Sequence, residues 1–177
     1  MKKHLDALIL VVQTFQSLVA EKADLDSRER QAREDLTSAA GEGPLDDPKI
    51  ARKVSAANAT LDAVNARRGH VEKSLRPILG EMKDALRAAD AQWTRIIRAS
   101  GDRIAARFYA VNAEFYEGSE RDARRHLNYE TLPLWNENNR ALWHGSAGNV
   151  TEENALSTVS QFVKLVEANI GRFNLSI

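Results

Sequence analysis

Residues 50–89 read IARKVSAANATLDAVNARRGHVEKSLRPILGEMKDALRAA. Apolar residues fall at Ile50, Val54, Ala57, Leu61, Val64, Val71, Leu75, Ile78, Met82, Ala85 and Ala89, alternately four and three apart, and Arg68 occupies one place in the series. This is the heptad spacing of a helix that buries one stripe against another helix. The stripe continues as Trp93, Ile97, Ile104, Phe108, Val111 and Phe115, and Gly118 is the predicted stop. Pro77 interrupts the chemistry of this helix but not its phase. A linker would have no reason to keep phase, so one long helix, kinked near Pro77, is favoured over two.

On the amino-terminal side, Leu5, Leu8, Val12, Phe15 and Val19 form a stripe that drifts to Leu18, Leu25, Ala32 and Ala39. A first helix is predicted over Lys3–Ala40, ended by Gly41-Glu42-Gly43-Pro44. Asp47 is placed as the cap of the next helix and Pro48 as its first residue, where the missing N–H is harmless. A short loop between two long helices makes an antiparallel hairpin.

On the carboxy-terminal side, Ser119-x-x-Asp122 is read as a helix start. That helix is expected to break at Pro133 and resume through Leu134, Trp135, Leu142 and Trp143. Gly145-Ser146-Ala147-Gly148 is a loop. Thr151 is placed as the cap of a last helix with the stripe Leu156, Val159, Phe162, Val163, Val166 and Ile170. Only Phe15 among the aromatic residues precedes Trp93. Small and aliphatic residues suit a thin two-helix seam, and rings suit a wider core. The expected fold is therefore all-α: an elongated helical bundle, with an antiparallel coiled-coil hairpin over residues 1–92 and a small aromatic-rich head over 93–177.

Composition removes several activities. There is no cysteine, which excludes thiol catalysis, disulfides and Cys-zinc sites and fits a reducing compartment, so a cytoplasmic protein is expected. Lys and Arg total 25, balanced by 25 Asp and Glu, so no net charge draws the chain toward nucleic acid or anionic lipid. Leu8–Val12 follows a basic start, but Asp6, Gln13, Gln16 and Ser17 interrupt the apolar run. Neither a secretory leader nor a membrane span is expected. No nucleophile–base pair and no Glu-x-x-His motif is present. Asp122, His126 and Glu130 share a helix face but read as surface ion pairs. Neither enzymatic activity nor a cofactor nor a bound metal is expected.

The leading expectation is a non-enzymatic structural or adaptor protein. It would self-associate, or bind another helical protein, through the seam residues Val54, Leu61, Arg68 and Leu75, with Trp135 and Trp143 as anchors in the head. Arg68 would need a carboxylate partner if buried, and would snorkel if the seam is partly open. A second reading is nucleic-acid association through the basic stretch 49–76, with Arg52, Lys53 and Arg67 as phosphate contacts. Those cations do not share a face, however, and acidic groups of the first helix, including Asp24, Asp26, Glu34 and Asp35, are available to pair with the stretch. A third is a ligand-sensing bundle with a pocket near Trp135 and Trp143. The competing account of that segment puts the tryptophans in the core and the run Asn136-Glu137-Asn138-Asn139 toward water.

Overall fold

The computed structural model describes residues 1–112 and 133–173, with side chains described except at 109, 111–112 and 133–136. Among the described residues the chain is entirely helical and turn, and the two long helices pack against each other as a helical hairpin. Helix α1 spans Lys2–Gly41 and α2 spans Pro48–Asn112. Two shorter helices follow, α3 over Pro133–Arg140 and α4 over Ala155–Ile170, with 3₁₀ turns at Ala147–Asn149 and Gly171–Phe173. No described helix is long and apolar enough to cross a membrane. The stripe's end at Phe115, the stop at Gly118, the start at Ser119 and the His126 group lie outside the described residues, as does the side chain of Trp135.

The α1–α2 connection forms for the reasons read in the sequence. Glu42 N–H closes on the Ala39 carbonyl, and Asp47 N–H closes on that of Pro44. Asp47 Oδ1 accepts from Lys49 N–H at 2.8 Å, the bond an N-cap aspartate makes. Gly43 packs close to the start of α2: a Cβ there would meet Ile50 Cδ1, the mobile end of that side chain, at 2.9 Å. Helix α2 runs unbroken through Pro77. Proline denies the Lys73 carbonyl its usual donor, but Lys73 and Pro77 are both exposed, so water can serve that carbonyl.

The chain forms two compact units. One is Val11–Glu81; the other joins Met1–Leu10 to Met82–Ile177. In the first, the hairpin unit, Phe15, Leu25, Ala32 and Ala39 of α1 and Ile50, Ala57, Val64, Val71 and Leu75 of α2 are buried. From Leu25 to Ala39 and from Ile50 to Val71 these residues recur every seventh position. Alanines at 32, 39 and 57 leave little side chain between the two backbones, so this column closes tightly.

The second unit, the head, is organised by Trp93. Its side chain is fully buried, and Nε1 donates to the Ala141 carbonyl at 2.7 Å. The Phe173 ring stands edge-on to it, centroids 5.4 Å apart. Helix α4 contributes Ala155, Val159, Phe162, Val166 and Ile170, while Leu156 is half-buried. Two local expectations are corrected. Helix α3 spans Pro133–Arg140 and runs through Leu134 and Trp135 as expected, and proline suits the first position of a helix. It ends at Arg140, where Ala141 and Leu142 bond back three residues to the carbonyls of Asn138 and Asn139; Trp143 and His144 therefore lie in the loop. Thr151 does not stand next to α4, which starts at Ala155. Asn154, the residue before α4, instead turns its Oδ1 back to accept from Thr151 N–H at 2.7 Å.

Candidate interface on the helical hairpin

The seam residues singled out in the sequence occupy different environments. Leu75 is 3% exposed and belongs to the core. Val54, Leu61 and Arg68 are half-buried. They form a second column beside the tightly closed one. On α1 the matching column is Lys22, Glu29 and Leu36, also half-buried. An ion pair sets the register between the two: Arg68 Nη1 meets Glu29 Oε2. Seven residues along each helix from that contact, in opposite chain directions, stand Leu36 and Leu61. One side of the hairpin is thus closed by alanine and valine. The other keeps leucine, valine and one ionic layer partly open to solvent.

The ionic layer is well supplied with partners. Arg68 also pairs with Asp26, and Glu29 pairs with Arg33 at 2.7 Å. The Arg68 side chain is 25% exposed and that of Glu29 12%. Hydrogen bonding from Arg33, and secondarily from Arg68, holds the Glu29 carboxyl below the ordinary carboxylate range. The Arg68 guanidinium is pushed the other way, chiefly by Asp26. Such a layer in an apolar seam fixes register, because a slip of one turn would strand both charges. Glu29 was missed in the sequence. The detectable signal is its spacing of seven from both Lys22 and Leu36, which puts it on the seam column once the hairpin is assumed.

A pH dependence follows. A carboxylate whose pKa is lowered in the folded state contributes stability above its unfolded pKa. That contribution is lost as pH falls through the folded value. Asp90, in the head, has the opposite sign: burial raises its pKa, partly offset by a hydrogen bond from Thr94, so acid does not weaken the fold through it. Urea unfolding followed by circular dichroism is expected to show a lower midpoint below about pH 4 than at neutrality, and Glu29→Gln is expected to shrink that drop. An equal drop in wild type and Glu29→Gln would remove Glu29 as its source.

Two of the three basic residues proposed for nucleic acid are paired with carboxylates, one on α1 and one in the turn after it. Lys53 pairs with Glu42 and Arg67 with Glu21, both at 2.5 Å, while Arg52 is exposed. Of the acidic groups expected to meet this helix, Asp26 does so. Asp24 turns to Arg28, and Asp35 accepts from Gln31, both on α1.

In the head, Trp143 is half-buried with its ring edge-on to Phe162, centroids 5.2 Å apart. It also covers Gly145 so closely that a Cβ there would meet ring atoms at 2.3 Å. The ring is held as packing. Asn138, expected to face water with its neighbours, is 6% exposed and donates to the Ile97 carbonyl at 3.1 Å. The buried turn of α2 around Ile97 draws it inward.

The fold and this surface define an all-helical hairpin protein with a small packed head. No protein-family model, curated protein or solved structure matches the chain.

Proposed function

We propose that the protein is a structural or adaptor component, cytoplasmic and non-enzymatic, that self-associates by laying the open column of one hairpin against that of a second copy. The observation that carries this reading is the unequal closure of the hairpin: Val54, Leu61 and Leu36 stay partly exposed beside a buried column of Leu25, Ala32, Ala39, Ile50, Ala57, Val64 and Val71. Two hairpins related by a two-fold axis would cover these residues as a four-helix bundle, a self-complementary arrangement open to any single chain. The Arg68–Glu29 layer would then specify which turn meets which. Nucleic-acid association is the weaker reading, because Glu42 and Glu21 already pair with Lys53 and Arg67.

Light-scattering mass after size exclusion tests the proposal. Wild type is expected at a multiple of 19.7 kDa, unchanged by salt. Val54→Gln with Leu61→Gln is expected to return it to the single-chain mass. A monomeric wild type, or an assembly that ignores this double substitution, would defeat the reading.

A further inference from the structure

The open column of the hairpin carries a direction as well as apolar surface. On α1 it runs Lys22, Glu29, Leu36 toward the turn, and on α2 it runs Val54, Leu61, Arg68 away from it. The Arg68–Glu29 contact sorts these residues into layers. Next to that ionic layer, one heptad nearer the turn, stands a layer of Leu36 and Leu61, and Val54 follows. The Arg68 side chain is already only 25% exposed and that of Glu29 12%, so a second copy laid on this face would take both charges out of water. Charges buried in that way need opposite charges across the contact.

A two-fold pair that shares this face has two arrangements. With the axis along the helices the copies are parallel, and each α1 lies over the partner's α2 at the same level. With the axis across the helices the copies are antiparallel, and α1 lies over α1 and α2 over α2. In the parallel pair Glu29 meets the partner's Arg68 and Leu36 meets the partner's Leu61, so the four charges of the ionic layer alternate in sign around the bundle. No antiparallel setting does this. Centred on the ionic layer, it sets Glu29 against the partner's Glu29 and Arg68 against the partner's Arg68. Centred on the leucine layer, it sets Arg68 against the partner's Val54. Centred between the two, it sets both charges against leucines. Moved farther from the turn, it offers Glu29 the partner's Lys22 but leaves Arg68 facing the partner's Leu75, and it takes the leucine layers away from each other. We propose that two copies of the chain associate in parallel, with their Arg68–Glu29 layers interlocked and both turns at the same end. The direction rests on the self-association proposed for this face.

The test is the distance between nitroxide labels in the full-length protein, by pulsed electron resonance, with the mass of each sample measured by light scattering. The chain has no cysteine, so Ser55→Cys, Ala66→Cys and Lys73→Cys each give one label per copy. All three positions are exposed and outside the column, on α2. In a parallel pair each label faces its counterpart at its own level. In an antiparallel pair the two separate by ~3 Å along the bundle for each residue from the centre, twice the helical rise. The expected result is twice 19.7 kDa, with the three distances agreeing to within about one helical turn, ~5.4 Å. Glu29→Leu with Arg68→Leu, which replaces the ionic layer by an apolar one, is expected to keep that mass and to add a second distance at one or more sites. A single-chain mass would remove self-association, and the direction with it. A dimer whose three distances diverge would remove the direction alone. A leucine variant that stays uniformly parallel would show that the ionic layer does not set it.

Discussion

Trp93→Ala is expected to destabilise the protein by about 3–5 kcal/mol, the usual cost of emptying a large aromatic site in a core. Two losses combine here. The side chain is fully buried, so truncation leaves a cavity beside the Phe173 ring that stands edge-on to it. The indole N–H also serves the Ala141 carbonyl, at the point where α3 has just ended. Removing the donor leaves that carbonyl without its partner. Trp93→Phe separates the two terms, since it keeps a ring but not the donor; a loss of about 1–3 kcal/mol is expected. Chemical denaturation followed by circular dichroism measures both. A loss under about 1 kcal/mol for Trp93→Ala, typical of surface positions, would mean that the head is not built on this residue.

The backbone plan of the hairpin was legible because local rules agree there. The heptad spacing, the glycine–proline turn and Asp47-Pro48 each point to the same two helices, and the structure places them within a residue of those signals. Pro77 was legible for a subtler reason: the stripe keeps phase through it. Which of the two seam columns closes was not legible. Periodicity treats Ala57 and Leu61 alike, whereas packing is decided by the opposite helix and by how closely the backbones approach. The partner of Arg68 was half visible for the same reason. Asp26 was named as an acidic neighbour, but Glu29 reaches the seam only through a register that pairing creates. The head was the least legible part. Trp93 and Ala141 lie 48 residues apart. The polar run 136–139 reads as solvated, yet Asn138 is claimed by the Ile97 carbonyl. No spacing rule encodes such a meeting, so the sequence pointed to the aromatic segment but not to its contacts.

Leu75→Ala is expected to cost about 2–5 kcal/mol, although Leu75 belongs to the same heptad series as Leu61. The difference is closure. Leu75 is 3% exposed, so the single chain already extracts the full benefit of burying it. Leu61 is only partly buried, so a share of its side chain is left for another molecule to cover. The two positions therefore separate folding from assembly. Leu75→Ala should lower the urea midpoint sharply, and whatever fraction stays folded should keep the wild-type mass. Val54→Gln with Leu61→Gln should lower the mass, with a smaller loss of stability once protein concentration is held fixed, since association itself stabilises the folded chain by mass action. If the double substitution instead costs as much as Leu75→Ala and leaves the mass alone, the open column is core by another route and the hairpin needs no second copy. If Leu75→Ala dissociates the assembly without destabilising the fold, the interface runs on along this column to Leu75, and the burial of Leu75 has been credited wrongly to the folding of the single chain.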